Sequence, residues 1–247
     1  MSVDVYDLEK YVQSNFGGEL QAVNLLSKYN ENLAKEQFRE NTSLYLGRRH
    51  LSHKMLSLLA ISVSLAMGDK DSVSIHFQLA KKFNVSKPEM LDIIKVTKLI
   101  LMSSTMYSFK SSLPIIRANT SIDYKKEEID KIINKVKKDL KSGLMPENFA
   151  ALSHFSFDLF AEHIKEKSEL LVPQKLDMKS IYLIAFSVSL TIRYEECIHA
   201  YLKLFFEEGG TVEELEDAIA TTRFVVGNRA IVYFTDILKE MDSLPDE

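Results

Sequence analysis

The chain repeats itself at a fixed interval, and this repeat constrains the possible folds more than any other feature of the sequence. The tetrapeptide SVSL at 62–65 recurs at 187–190, an offset of 125 residues. The same offset relates 51–94 to 176–219 without a gap, and 12 of these 44 aligned positions are identical. A gapless match of this length indicates one supersecondary unit that occurs twice along the chain.

Helix-start signals fall at equivalent positions of the two copies. Ser86 with Glu89 forms a capping box, and Thr211 with Glu214 forms another, offset by the same 125 residues. In a capping box the first side chain accepts a hydrogen bond from the backbone of the third helical residue, while the glutamate reaches back to the cap. Each copy is therefore predicted to contain a buried helix, a short break, a second helix, and a third helix that begins at the box.

The residues before each box are suited to ending a helix. Asn84 in the first copy and Gly209 in the second tolerate the positive φ at which many helices stop. Glycine (8) and proline (5) are scarce in the 247 residues, which favours long helices over a turn-rich sheet. We expect an all-α protein whose two tandem helical units pack with pseudo-twofold symmetry.

The repeat also predicts how the chain is divided. We expect a first unit with additional N-terminal helices over 1–123, a connecting helix within 124–144 and a second unit over 145–247. Apolar side chains in the connecting segment follow helical spacing, with lysine and glutamate on the other face, which predicts a packed amphipathic helix. These apolar positions are Ile129, Ile132, Ile133, Val136 and Leu140.

The segment at the end of the second copy is the most specific part of the pattern. Residues 209–219 read GGTVEELEDAI and follow a buried apolar helix, a break and a polar helix start. This arrangement resembles the carboxymuconolactone decarboxylase and AhpD-like family, over about 50–110 in the first copy and 145–240 in the second. The resemblance implies compact helical units that assemble as trimers or hexamers. We therefore expect a homo-oligomer, with a trimer of chains favoured.

The peroxidase branch of that family has a motif of four residues. A glutamate in the buried helix precedes a CxxC pair by twelve residues, and a histidine follows the second cysteine by four. A thiol in the first turn of a helix lies near the positive end of the helix dipole, and a group four residues later shares its face for proton transfer. The equivalent positions are Ser57, Asp69, Ser72 and His76 in the first copy, and Tyr182, Tyr194, Cys197 and Tyr201 in the second.

Only two motif residues survive, His76 and Cys197, and these are the catalytic candidates. Because the chain has one cysteine, it contains no resolving thiol for a dithiol peroxidase cycle. The resemblance therefore implies a member with a degenerate CxxC site that is not a dithiol peroxidase. The other aligned side chains are candidates for a pocket or a ligand-binding site: Ser57, Ser72, Tyr182, Tyr194 and Tyr201.

Two classes of function remain open at this point. One is a divergent family member that binds a small molecule, in which Tyr182 and Tyr201 either line a pocket or fill it by packing. The other is a single-cysteine peroxidase or a decarboxylase-type enzyme that uses Cys197 with an external thiol. The start of the helix would lower the pKa of that thiol, whereas Glu195 and Glu196 would raise it.

Charge and hydropathy argue against several partner classes. The formal net charge of -4 offers no positive field for nucleic acid. The most apolar run, 55–67, is too short to cross a bilayer, and 1–10 lacks the basic and apolar parts of a signal peptide. A single cysteine suits a reducing compartment, so we expect a cytoplasmic protein. His154, Asp158 and Glu162 share a helical face, but such spacing is common by chance, and we expect neither a metal nor a cofactor.

Overall fold

The computed structural model describes residues 21–119, 126–139 and 147–245, and the regular elements in these ranges are all helices, with no strand. This confirms the all-α prediction. The α-helices are α1 (Gln21–Tyr29), α2 (Glu31–Glu40), α3 (His53–Met67), α4 (Lys70–Lys82), α5 (Lys87–Ser104), α6 (Phe109–Asn119), α7 (Lys126–Asp139), α8 (Glu147–Ser153), α9 (Phe157–Leu170), α10 (Met178–Thr191), α11 (Glu195–Glu207) and α12 (Val212–Glu240). A π-helical turn (Asn41–Leu46) follows α2, and a 3-10 turn (Met241–Ser243) follows α12.

The described residues belong to two compact units. Unit 1 comprises Met1–Val85 and Val212–Glu247, and unit 2 comprises Ser86–Thr211. In unit 1, α12 packs against α3 and α4, whereas in unit 2 the helix α10 packs against both α11 and α5. Each unit therefore takes its buried helix and second helix from one copy of the repeat and its third helix from the other copy.

The predicted boundaries at 1–123, 124–144 and 145–247 follow the copies in the sequence rather than these compact units. They remain a prediction about the duplication, as does the pseudo-twofold arrangement of the copies. The connecting helix corresponds to α7, in which Ile129 is 1% exposed. The helices α1 and α2 precede the first copy of the repeat, whereas residues 1–20 and the side chains of Val136 and Leu140 lie outside the part that the structure describes.

The helices α3 and α10 form the buried centre of their units. Both are apolar around most of their circumference. In α3, all ten residues from Met55 to Ser64 are buried. The serines do not leave unpaired hydroxyls in α3, because Ser62 donates to the Leu58 carbonyl and Ser64 donates to the Ala60 carbonyl, each at 2.8 Å. Bonding within the helix makes these polar side chains tolerable in a core.

The helix ends follow the local signals in the sequence. Ser86 forms a complete capping box with Glu89 at the start of α5. Asn84 and Gly209 have positive φ, 55° and 79°, and each stands two residues after the last residue of its helix, α4 or α11. Gly210 is required for a different reason, since a Cβ atom there would overlap the ring of Phe205. The second predicted box precedes α12, which begins directly after Thr211.

A buried aspartate ties the third helix of unit 1 to the entrance of α3. Asp217 on α12 is fully buried and accepts hydrogen bonds from the backbone amides of His50 (2.7 Å) and Leu51 (2.9 Å). The Arg48 Nε donates to the same carboxylate at 2.7 Å. One carboxylate thus satisfies several donors of the loop that leads into α3.

Unit 2 contains the equivalent contact. Asp92 on α5 is 1% exposed and accepts from the backbone amides of Gln174 (2.7 Å), Lys175 (2.8 Å) and Leu176 (3.0 Å). These amides belong to the loop that leads into α10. Asp92 and Asp217 are separated by the repeat offset of 125 residues, as are Lys175 and His50, so the same interaction is made twice.

We expect Asp217→Asn to lower the free energy of unfolding by roughly 3 kcal/mol, because the amide loses the negative charge and presents hydrogens to backbone donors. Urea unfolding followed by circular dichroism measures this. The matched control is Asp236→Asn on the same helix, whose side chain is 90% exposed and whose loss changes the unfolding free energy by about 0.5 kcal/mol or less. Equal effects of the two substitutions would contradict this assignment.

Candidate functional site

The motif positions of the first copy form a buried polar cluster in unit 1. Asp69 is the N-cap of α4, and its carboxylate accepts from the Ser72 backbone amide (3.1 Å) and from the Ser72 hydroxyl (2.7 Å). Ser57 is buried on α3 and donates to the Lys54 carbonyl at 2.7 Å. Asp69 and Ser72 therefore cap a helix in this structure, where the family motif has its two cysteines.

His76 lies one turn after Ser72 and contacts a residue that the motif does not include. Its Nδ1 is 3.3 Å from the hydroxyl of Tyr45, which comes from the π-helical turn. The Tyr45 ring meets the imidazole edge-on, with ring centroids 5.3 Å apart, and stacks on Phe224 of α12. Burial lowers the pKa of His76 to about 4, although the nearby Asp69 carboxylate acts in the opposite direction. The imidazole is therefore neutral at pH 7.

A small cavity adjoins this histidine. Its volume is about 50 Å³, and its lining includes Gln37, Asn41, Tyr45, His76 and Asn228. The Asn41 amide donates to the Gln37 carbonyl at 2.9 Å. That bond uses the backbone oxygen of Gln37. The residue is 4% exposed, and its side-chain amide makes no hydrogen bond with another described residue. Because Gln37 lines the cavity, its amide can hydrogen-bond a water or a ligand there.

The motif positions of the second copy form a different environment in unit 2. Cys197 lies in the first turn of α11 and is 8% exposed. Burial raises the pKa of its thiol to about 12, which outweighs the start of the helix. The Lys167 ammonium acts to lower the thiol pKa, and the Glu196 carboxylate acts to raise it. The thiol is therefore protonated and shielded at neutral pH.

Lys167 comes from α9 and shares this environment with aromatic side chains. Its Nζ lies 6.0 Å from the centre of the Phe149 ring. Burial lowers the pKa of Lys167, and the Cys197 thiol acts in the opposite direction. Burial also lowers the pKa of His163, to about 4, with a smaller contribution from the Lys167 charge.

The three tyrosines of this copy lie close to one another in sequence and in space. Tyr201 is 3% exposed, and its ring centroid is 6.2 Å from that of Tyr182. Tyr194 is 4% exposed and donates to the Glu196 carboxylate at 3.2 Å, while its ring meets Tyr107 edge-on at 6.4 Å. Burial raises the pKa of Tyr194 and of Tyr201. These contacts are those of packed core aromatics.

Several residues of these sites were not found from the sequence. Tyr45, Gln37 and Asn41 precede the region in which the two copies align, so the repeat gave no signal for them. Lys167 carries no motif and is one of two lysines on a helix with a charged face. The pairing of Asp92 and Asp217 had a signal, since both are identical at the repeat offset.

The described ranges contain neither a metal-binding cluster nor a membrane-spanning helix. Among the described residues, no group of three or more histidine, cysteine, aspartate or glutamate side chains is arranged to hold a metal ion. His154, Asp158 and Glu162 thus do not form such a group. No helix in the described ranges has the length and apolar character needed to cross a bilayer.

Comparison with known proteins supports the fold. The helical architecture of this chain is a carboxymuconolactone decarboxylase-like fold. A crystal structure from Burkholderia xenovorans LB400, of a proposed gamma-carboxymuconolactone decarboxylase subunit, superposes on this chain with a TM-score of 0.77 and 14% sequence identity. The match covers 98% of this chain and 99% of the other. No protein-family model and no curated protein sequence matches the chain.

We expect Cys197 to react with iodoacetamide at pH 8 on the order of a thousandfold more slowly in the folded protein than in urea, because a pKa raised to about 12 removes the thiolate. Intact-mass spectrometry against time measures the rate, and the single cysteine makes the mass shift unambiguous. The urea-unfolded chain is the control. Similar rates in the two states would contradict a shielded thiol.

We also expect His76 to make the protein less stable in acid. The folded-state pKa is about 4, below the usual value of 6.5, so protonation favours the unfolded chain as the pH falls between these values. The loss amounts to about 3 kcal/mol at the acid end. His76→Gln should flatten the pH dependence of the unfolding free energy in this window, while the shifted His163 keeps part of it. An unchanged slope would contradict the assignment.

Proposed function

We propose that this protein is a divergent member of the carboxymuconolactone decarboxylase and AhpD-like family that binds a small molecule and does not carry out dithiol peroxidase chemistry. The observation on which this rests is the small cavity of unit 1, where the Gln37 side chain, which makes no hydrogen bond with another described residue, lies beside the neutral imidazole of His76. The similarity of fold supports the proposed family. The proposed binding function rests on the residues that line the cavity.

The environment of Cys197 supports binding rather than thiol catalysis. A peroxidatic cysteine must be a thiolate that peroxide can reach, and it needs a second thiol to resolve the sulfenic acid. Cys197 is 8% exposed, its thiol pKa is raised to about 12, and the chain has no other cysteine. The aligned proton-relay positions hold Tyr182 and Tyr201, which pack together.

The cavity of unit 1 indicates the chemistry of a ligand. Its polar lining consists of three side-chain amides, the Tyr45 hydroxyl and the His76 imidazole, all of which are uncharged at neutral pH, and the rest of the lining is apolar. A charged ligand would enter without a counter-charge, which is costly in a buried site. Since a water needs about 10–15 Å³ of such volume, a cavity of about 50 Å³ accommodates roughly four non-hydrogen atoms. The ligand class is therefore a small neutral molecule with hydrogen-bond donors and acceptors.

The assembly expected from the family is part of this proposal. Units of this kind bury apolar helix faces against other copies, so we infer a homo-oligomer. The favoured trimer of chains remains a prediction that a measured solution mass decides.

Titration with acetamide and urea tests the binding site. We expect both probes to shift the side-chain nitrogen resonances of His76 in a ¹⁵N-labelled protein, because they fill the cavity beside the ring. Gln37→Met removes the amide with little change in shape and should weaken this response strongly. The matched control is Gln78→Met, an exposed glutamine on α4, which should leave the response intact.

Two results would contradict the proposal. Histidine resonances that do not respond to either probe at high millimolar concentration, or that respond equally in Gln37→Met, would exclude the cavity as a ligand site. Robust hydrogen peroxide turnover with a lipoyl or thioredoxin-type reductant, abolished by Cys197→Ser, would instead favour the single-cysteine enzyme. We expect peroxide consumption near background in both forms.

A further inference from the structure

The helix α12 has a second apolar face that is exposed in this structure, with the Arg229 guanidinium over the ring of Tyr233 at 4.8 Å. One face is buried in unit 1 through side chains such as Phe224, Val225 and Leu238. The other face, which we call the α12 stripe, consists of Val226, Ala230, Tyr233 and Ile237, flanked by Phe234. Among these, Val226 is 41%, Tyr233 50%, Phe234 46% and Ile237 49% exposed. Large exposed side chains that are contiguous on one helix mark an interaction surface.

The spacing of the α12 stripe is that of a coiled-coil seam. Its members follow one another at intervals of four, three and four residues, the alternation that keeps side chains on one side of a helix that pairs with another helix. The next positions of the same pattern, three residues before Val226 and three after Ile237, are Arg223 and Glu240. The seam is therefore apolar in its middle and oppositely charged at its two ends.

The seam is complementary to itself when two copies run antiparallel. With the twofold axis between Ile231 and Val232, Val226 lies opposite Ile237 of the second copy and Ala230 lies opposite Tyr233. The small alanine thus faces the large ring, which is the alternation that close packing of two helices needs.

The charges at the ends of the seam select the same arrangement. The antiparallel register places Arg223 opposite Glu240 of the second copy, twice in one pair. Both residues are exposed, and Arg223 is close enough to Glu40 of α2 for its charge to lower the pKa of that carboxyl. A parallel pairing would place arginine against arginine and glutamate against glutamate, which is unfavourable.

We propose that α12 is a self-association surface through which two copies of this chain pair in an antiparallel, twofold contact. The contact is argued separately from the ligand proposed for unit 1: Tyr45, His76 and Gln37 take no part in it, although Ile231 and Val232 of α12 line the cavity. A twofold contact joins an even number of chains. If the predicted trimer also forms, the contact joins two trimers into a hexamer.

Sedimentation velocity of the full chain over a range of concentrations tests the pairing. Ile237→Lys should shift the protein towards half the mass, because it places a charge against the apolar Val226 of the second copy. The matched control is Ile115→Lys on α6, which is 69% exposed but lies outside the stripe and should leave the mass unchanged. A native protein whose mass corresponds to one chain, or to three, at all concentrations would overturn the proposal.

A charge exchange tests the register independently of folding. Arg223→Glu and Glu240→Arg should each raise the dissociation constant of the pair roughly tenfold, because two symmetric contacts become repulsive at once. The double variant Arg223→Glu/Glu240→Arg should restore the native value, since each opposite charge pair is re-formed. Single variants that weaken pairing without rescue in the double variant would overturn the antiparallel register, and so would single variants without effect.

Discussion

The buried carboxylates of Asp217 and Asp92 are the interactions on which the rest of the architecture depends. Each lies on the third helix of one copy of the repeat and accepts the backbone amides of the loop that enters the buried helix of the other copy. An uncompensated buried charge is costly, and these loops supply the donors that compensate it. The aspartates therefore fix both which helix covers α3 or α10 and the register in which it does so.

The motif positions have the same spacing in both copies, but their environments differ because different elements surround them in unit 1 and unit 2. In unit 1 the π-helical turn brings Tyr45 onto His76, and the polar side chains of α2 leave a small cavity beside it. In unit 2 the equivalent of His76 is Tyr201, and the lysine of α9 approaches Cys197 from another side. Desolvation dominates the electrostatics in both units, since it keeps the imidazole and the thiol uncharged. A family motif alone therefore says little about the protonation of its residues.

Local signals in the sequence predicted the helices well. They did not predict which helices contact one another across long separations in sequence. The capping box at Ser86 and the positive φ of Asn84 and Gly209 depend on neighbours in the chain, so a single sequence contains the necessary information. Hydrophobic periodicity shows that α3 is buried but not which helix covers it, so the exchange of third helices could not be predicted. The same applies to the site, because Tyr45 reaches His76 across 31 residues of sequence.

The exchange of third helices determines the order in which a growing chain can complete its two cores. Unit 2 is continuous in sequence, from Ser86 to Thr211, and all of its helices are synthesised before α12. Unit 1 is interrupted, so α3 lacks its covering helix until Val212–Glu240 emerges. Translation proceeds at about 5–20 residues per second, so this apolar helix waits for several seconds. During that interval the nascent chain presents a surface suited to chaperone binding, and the first segment of unit 1 to be synthesised is the last to be enclosed.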